Sequence, residues 1–122
     1  MNETLTSEEL VAMLTAIAHP LRLQIIAELA GGRVHVSELA RRLGMSRPLL
    51  YMHLDRLEKA GLVTGQLELS DDGKAMKYFE LVPFEVRVTA ETVVRALAND
   101  PHDLAEDRQN TERALDAKES DR

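Results

Sequence analysis

The stretch VSELARRLGMSRPLLYMHLDRLEKAGLV, residues 36–63, decides the fold of this chain. Apolar residues recur at helical spacing on both sides of Gly44, which predicts two helices joined by a tight turn. Ser37 is placed to cap the first helix and Ser46 the second, and Gly61 follows as the stop of the second. A short helix, a turn containing glycine and a longer helix form the helix-turn-helix arrangement, whose second helix enters the DNA major groove.

The same stretch is positively charged in a chain that is acidic overall. Six basic and three acidic residues lie between Arg33 and Val63, so this segment carries +3 while the 122-residue chain carries −6. A local positive patch attracts phosphate because association follows the local field more than the net charge. The alternative is that these charges are only the solvated faces of two helices. We prefer the DNA interpretation because charge, caps, turn and apolar spacing coincide in one segment.

The composition predicts one soluble domain with an aliphatic core. Hydrophobic residues make up 44% of the chain and charged residues 30%, whereas aromatic residues make up only 3%. The absence of cysteine excludes disulfides, thiolate metal sites and cysteine nucleophiles. No apolar run reaches the length of a membrane span, and the N-terminus is too polar for a signal peptide. We therefore expect a cytoplasmic protein that binds no membrane.

Two helices are predicted before this motif. Thr6 and Glu9 have the spacing of a capping box, which opens the first helix. Pro20 separates it from the second helix, which covers about residues 21–30, because the residue before a proline leaves the helical region. Residues 1–5 are expected to be frayed.

A β-hairpin and a fifth helix are predicted after the motif. Residues 66–69 and 76–81 have extended patterns and flank a Ser-Asp-Asp-Gly turn. A hairpin directly after a recognition helix is a wing. Residues 84–88 alternate apolar and charged side chains, which predicts another short extended segment. Thr89 is placed to cap a helix that runs through about residue 98.

These elements predict a mainly α chain with a small β-hairpin, a winged helix-turn-helix domain over residues 6–98. The tail, residues 99–122, is mostly charged and is expected to be largely flexible. The first and last helices carry apolar residues with few partners in so small a domain, so we expect them to form a dimer interface. The predicted interface residues are Leu10, Met13, Leu14, Ile17, Val93 and Leu97.

With these elements in place, the sequence resembles the ArsR-type (arsenical-resistance repressor) family of winged-helix transcription regulators. The resemblance rests on residues 17–26 (IAHPLRLQII), 36–44 (VSELARRLG) and 53–63 (HLDRLEKAGLV). It covers roughly residues 8–98. It implies a homodimer that binds a pseudo-palindromic promoter site in double-stranded DNA, usually as a repressor, with the helix at residues 46–60 in the major groove.

The resemblance does not extend to metal sensing. Many members of the family sense metals through a cysteine pair, and the corresponding positions here hold His35 and Ser37, which cannot form a thiolate site. Other members use carboxylates and a histidine on the last helix. That region offers Glu85 and Glu91, with His102 only beyond a proline, and this set has no convergent geometry. We therefore expect no metal and no cofactor.

Arginines of the motif are the leading candidates for DNA contact. Arg47 lies in the first turn of the second helix, and arginine pairs with guanine O6 and N7. Arg56 is a candidate for phosphate contact, with an ion pair to a neighbouring carboxylate as the alternative. For Arg41 and Arg42, at the end of the first helix, a structural role with the helix dipole competes. The predicted DNA-binding residues are Ser46, Arg47, Leu49, Tyr51, Met52, His53, Arg56, Arg41, Arg42, Lys74 and Lys77.

The recognition helix and the wing depart from the family pattern. Leu49, Tyr51 and Met52 occupy positions that are often small or polar in the family. Tyr51 and Met52 can still contact thymine methyl groups, and the Tyr51 hydroxyl can donate to phosphate. Three carboxylates accompany Lys74 and Lys77 in the wing, so either these two lysines alone contact the DNA backbone or the wing contacts a protein instead.

Three histidines have structural interpretations as well as functional ones. The resemblance implies that His53 faces DNA, and the alternative is a half-buried structural histidine. His19, before a proline, is interpreted as a helix-end residue rather than a ligand. His35 is a lone histidine in a predicted loop and is expected to be inert.

The leading functional hypothesis is a dimeric, sequence-specific DNA-binding regulator. The alternative is a protein-interaction module that uses the winged-helix fold without binding DNA, since a fold alone does not determine function. The acidic wing and the overall charge of −6 favour that alternative. An enzyme is not expected, because the sequence shows no glycine-rich phosphate loop, metal cluster or nucleophile–base set. An effector or protein partner is compatible with the sequence but is not identified by it.

Overall fold

The computed structural model describes residues 5–101, so residues 1–4 and the predicted tail from residue 102 lie outside it. The elements are α1 (Ser7–Ile17), α2 (Pro20–Ala30), β1 (Val34–His35), α3 (Val36–Leu43), α4 (Arg47–Lys59), β2 (Val63–Leu69), β3 (Ala75–Leu81) and α5 (Ala90–Ala98). The five predicted helices and the hairpin are confirmed. No single helix of residues 5–101 is long and apolar enough to cross a membrane, and α1 and α2 meet both conditions only as a pair bent by 84°.

The two ends of the chain form a unit separate from residues 11–85. Its described parts, residues 5–10 and 86–101, are joined by hydrogen bonds between α1 and the residue two positions after α5. The backbone N–H and the hydroxyl of Ser7 donate to the carboxylate of Asp100 at 2.7 and 2.6 Å. A carboxylate is well placed there because the first N–H groups of a helix lack partners within the helix and attract negative charge.

Side-chain caps begin three of the helices at the predicted positions. Thr6 and Glu9 accept each other's backbone N–H at 3.2 Å, which is the predicted capping box. The hydroxyl of Ser46 accepts the N–H three residues further on at 3.3 Å, and that of Thr89 does the same at 3.1 Å. Gly44 has φ +61° in the turn before α4, a left-handed conformation that glycine adopts without strain. These local predictions are confirmed.

The start of α3 differs from the prediction. This helix begins at Val36, and Nδ1 of His35 accepts the N–H of Glu38 at 3.4 Å. The prediction of Ser37 as the cap is therefore wrong, and so is that of His35 as an inert loop residue. Histidine is not among the residues preferred at this position. Its role depends on β1, which places His35 opposite Tyr78 in the sheet.

The wing belongs to a three-stranded antiparallel sheet with the order β1-β3-β2. Strands β2 and β3 pair from Val63 opposite Leu81 to Leu69 opposite Ala75. Strand β1 was not predicted, because two residues are too few to show a periodicity. Residues 84–88, predicted as a short extended segment, form no strand of the sheet. Alternation alone is insufficient, because a strand also needs a neighbour that accepts its hydrogen bonds.

The core of residues 11–85 is aliphatic, as the composition predicts. It is formed mainly by α2, α3 and α4, together with Leu62 and Val63 where β2 begins, Ala16 of α1, Val34 of β1 and a single buried phenylalanine, Phe79, from β3. The largest buried apolar side chains, each less than 2% exposed, are Ile25, Leu39, Leu50, Leu54, Leu57, Leu62 and Val63. Three of these seven belong to α4, so this helix is anchored along most of its length.

Candidate nucleic-acid interface

Helix α4 turns one face to the core and the opposite face outward. Leu50, Leu54 and Leu57 are at most 1% exposed and recur at the spacing of a single helix face. The exposed residues of the helix are Arg47, Pro48, Leu49, Tyr51, Met52, Asp55, Arg56, Glu58 and Lys59. The outward face is therefore continuous over the whole helix. That is the surface that a recognition helix needs in order to lie in a groove.

His53 does not belong to this outward surface. Its side chain is only 1% exposed and lies on the buried side of α4. Nδ1 of His53 accepts a hydrogen bond from Nε of Arg22 at 3.2 Å, and its ring centroid lies 4.6 Å from that of His19. The predicted DNA contact for His53 is therefore wrong. It shares a side of α4 with Leu50, and the packing of α2 against that side buries it beside Arg22.

The surroundings of His53 keep its imidazole neutral. Burial is the largest cause that lowers the pKa of His53, and the charges of His19 and Arg22 lower it further. Protonation would also convert the accepting Nδ1 atom into a donor facing another donor, the Arg22 guanidinium. The neutral form thus links α4 to α2. His19 has a structural role too, since its Nδ1 accepts the N–H of Leu21 at 3.1 Å and caps α2, as its helix-end interpretation required.

We expect the fold to lose stability through His53 as the solution becomes acidic. The pKa of His53 in the folded chain lies below its ordinary value of 6.5, so the unfolded chain binds the proton more tightly. The free energy of unfolding should therefore fall as the pH drops below about 6.5, towards the folded-state pKa, and this contribution is constant at higher pH. Urea denaturation at about pH 7.5 and about pH 5.5 measures the change.

The matched control for this prediction is His53→Gln. Its side-chain oxygen can still accept from Arg22, but it does not titrate. Its stability should therefore fall less than that of the wild type over the same pH interval. An equal fall in both proteins would assign the pH dependence to other groups.

Arg41 and Arg42 are bound to carboxylates. Nε of Arg41 donates to Glu38 at 2.9 Å, and Nε of Arg42 donates to the same carboxylate at 3.1 Å. Arg42 also lies 3.5 Å from a carboxylate oxygen of Glu28. Mainly through its hydrogen bond with Arg41, the pKa of Glu38 is lowered to about 2. These contacts favour the structural role that the sequence left open for the two arginines.

Arg47 and Arg56 differ from them, because within residues 5–101 neither pairs with a carboxylate. Arg47 donates from Nη2 to the hydroxyl of Ser37, a neutral group on α3. This contact holds the guanidinium at the N-terminal end of α4, between the two helices of the motif. Ser37 thus positions the residue predicted to contact DNA, a role that its sequence position does not reveal.

The wing carries two exposed or half-exposed lysines. Lys74 lies in the turn between the strands, and Nζ of Lys77 lies 5.7 Å from the centroid of the Phe79 ring. One of the wing carboxylates, Glu68, is bound to Arg33. Arg33, which immediately precedes β1, therefore offsets the charge of that carboxylate, so less negative charge surrounds the two lysines than the sequence indicates.

The residues predicted for a dimer interface fall into two groups. Leu10 is only 7% exposed, and Met13 and Ile17 pack against the core of residues 11–85. Leu14, Val93 and Leu97 are not part of that core. Of the six predicted residues, Val93 is the one that is exposed, at 43%, whereas Leu14 and Leu97 are partly exposed like Met13 and Ile17. Val11 in α1 and Val94 in α5 are also strongly exposed, and neither is among the six residues predicted for the interface.

Acidic and imidazole groups do not converge in the described part of the chain. Among residues 5–101, no group of three or more His, Cys, Asp or Glu side chains could hold a metal ion. His35, at one of the positions that correspond to the family's cysteine pair, is engaged in capping α3 and contacts Tyr78 edge-on at a ring distance of 5.8 Å.

Comparison with known proteins identifies the family. The family model for bacterial regulatory proteins of the arsR family matches residues 19–64, which run from the cap of α2 into β2. An uncharacterized HTH-type transcriptional regulator of Methanocaldococcus jannaschii is 30% identical over 92 residues, covering 75% of this chain and 96% of that protein. A biofilm growth-associated repressor of Xylella fastidiosa is 32% identical over 57 residues, covering 47% of this chain and 50% of that protein.

A solved structure agrees with these relatives. The homodimeric winged helix-turn-helix DNA-binding domain of a Mycobacterium bovis protein has a TM-score of 0.56 and 26% sequence identity to this chain, and the match covers 75% of this chain and 73% of that one. The predicted winged helix-turn-helix fold is therefore confirmed. This chain belongs to the ArsR family of helix-turn-helix transcriptional regulators.

Proposed function

We propose that this regulator binds a pseudo-palindromic promoter site as a homodimer and represses transcription, with α4 in the major groove. The observation that carries the proposal is the exposed surface of α4, where Arg47 and Arg56, on two sides of the helix, are cations without a carboxylate partner in the described residues. The proposal is supported by the homodimeric DNA-binding domain from Mycobacterium bovis and by the repressor from Xylella fastidiosa.

The two arginines suit different contacts. They lie nine residues apart in α4, which separates them by about 13 Å along the helix and by roughly half a turn around it. Arg47, in the first turn, is placed to reach a guanine edge, since the N-terminal residues of a recognition helix contact bases. Arg56, further along and on another side, is placed to reach a phosphate. Lys74 and Lys77 would add backbone contacts from the wing.

The homodimer would use apolar surface on the first and last helices. Leu14 in α1, with Val93 and Leu97 in α5, retains accessible area in the single chain. Val11 adds apolar area on α1 and Val94 adds it on α5, and both are more than half exposed. Covering such side chains in a dimer stabilises it, because apolar surface is removed from water.

A direct test is fluorescence anisotropy of the full chain with DNA from upstream of its own gene. A random duplex of equal length serves as the control, and both are measured at two salt concentrations. We expect preferential binding to the upstream DNA that weakens steeply with salt, because bound phosphates release counterions. Equal binding to both duplexes, or none, would overturn the proposal.

Arg56→Ala refines this test by separating phosphate contact from base reading. The variant should bind both duplexes more weakly and to a similar extent, because a phosphate contact carries no sequence information. Its salt slope should decrease by about 0.9 per lost contact in each protomer. An unchanged slope would show that Arg56 makes no phosphate contact.

The second candidate function is a protein-interaction module. Leu67 and Leu69 of the wing are strongly exposed apolar side chains, and DNA binding by the arginines does not require them. If DNA binding fails, a pull-down with the wild type and with a Leu67→Ala, Leu69→Ala double variant is the next experiment. Loss of a partner in the double variant would support this second function.

A further inference from the structure

The midline of the outward face of α4 is apolar in its first two turns. At about 100° per residue, Pro48 and Met52 lie within about 40° of each other, on the side opposite the buried leucines. Met52 is 49% exposed, more than Leu49 at 37% or Tyr51 at 42%. Of these three side chains, Met52 therefore has the largest exposed fraction on the side that would face a groove.

Few polar side chains near this midline could read a base. In the first two turns of α4, Arg47 is the only side chain of the kinds that make bidentate contacts with bases, and no asparagine or glutamine is present to read adenine. The Asp55 carboxylate, which could accept from cytosine, is held by Lys59 at 3.0 Å. Tyr51 is directed towards the wing, where its ring centroid lies 6.4 Å from that of Phe79.

We infer that Met52 determines specificity by contacting the C5-methyl group of a thymine in the major groove. This inference rests on the proposed function. The thymine methyl is the apolar group that a base edge presents in that groove, and a flexible thioether adapts well to such a contact. Met52 follows Arg47 by five residues, about 7.5 Å along the helix axis. The half-site should therefore hold this thymine within about two base pairs of the guanine that Arg47 reads.

The test begins with selection of high-affinity duplexes from a random pool by the full chain. In the selected site, each thymine is then replaced by deoxyuridine, which removes only the methyl group and keeps the base pairing. We expect one substitution in each half-site to weaken wild-type binding about fourfold, the equivalent of one buried methyl group. The same deoxyuridine replacement should not change the affinity of the Met52→Ala variant. It should still weaken binding by the Met52→Leu variant, but by less than it weakens wild-type binding.

A matched control and a folding measurement complete the design. Leu23→Ala removes an exposed apolar side chain from α2, away from the proposed interface, and should leave the deoxyuridine effect unchanged. Because Met52 is exposed, its alanine variant should melt close to the wild type by circular dichroism.

The outcomes separate this inference from the function on which it rests. Specific binding that is insensitive to every deoxyuridine substitution would overturn the role of Met52 while leaving the regulator intact. A deoxyuridine effect that persists undiminished in Met52→Ala would also overturn it, because another residue would then contact the methyl group. Failure to enrich any sequence would overturn both the inference and the proposed function.

Discussion

Replacing Leu54 by alanine should lower the free energy of unfolding by about 2–5 kcal/mol. This leucine is 1% exposed and packs in the core through the buried face of α4. The loss combines the transfer of methylene and methyl groups from water with the cavity that the truncated side chain leaves. Urea denaturation of the wild type and the variant measures it.

Leu67→Ala is the matched control, because it makes the same chemical change at a position that is 67% exposed. Its effect on the free energy of unfolding should stay within about 0.5 kcal/mol. Similar losses in the two variants would contradict the assignment of Leu54 to the core and of Leu67 to the surface.

Replacing Arg47 by alanine should weaken binding to the specific site by about 1–3 kcal/mol, or roughly 5- to 150-fold. The reason is the loss of a bidentate contact with guanine, from a side chain that no carboxylate neutralises in the described residues. Binding to random DNA should fall much less. Anisotropy titrations of both duplexes at one salt concentration distinguish the two effects.

Two further variants test whether Arg47 contacts a base rather than a phosphate. Ser37→Ala removes the hydroxyl that accepts from Arg47 but keeps the guanidinium, so it should weaken specific binding in the same direction and by less. Arg56→Ala should instead lower the affinity for both duplexes alike. If Arg47→Ala reduced binding to random DNA as strongly as binding to the specific site, Arg47 would contact phosphate rather than a base.

Polar contacts also hold α4 against the N-terminal helices. The guanidinium of Arg22 donates to His53, and it donates to the carbonyl oxygens of Thr15 and Ala16 at 3.2 and 3.3 Å. One side chain of α2 thus joins the end of α1 to the buried face of the proposed recognition helix. The expected acid sensitivity follows from this arrangement, because protonated His53 cannot accept from Arg22.

Apart from the cap of α3, predictions that depend on neighbours in the sequence were accurate. Ser46 and Thr89 begin their helices, Gly44 adopts the left-handed conformation of the turn, and the apolar spacing of α4 matches its buried face. Caps, turns and helical periodicity involve residues a few positions apart, so the local sequence contains the interactions that create them. The same reasoning identified Arg47 as lying in the first turn of α4.

Predictions about single residues were less accurate when they depended on residues distant in the sequence. In the sequence, His53 lies between Met52, which is exposed, and Leu54, which is buried. Only the packing of α2 against α4 buries its side chain, beside Arg22. Arg41 and Arg47 look alike as exposed cations of the motif. The fold binds Arg41 to a carboxylate and leaves Arg47 on a neutral hydroxyl.

The sequence by itself determined the order of helices and wing, the helix that faces outward and the family of the chain. Only the tertiary structure decided that His35 caps α3 beside a third strand, that His53 is buried, and which arginines of the motif have no carboxylate partner within residues 5–101. The physical reason is the range of the interactions. Helix caps and amphipathic faces are local, whereas burial, strand pairing and ion pairs depend on which distant segments the core brings together.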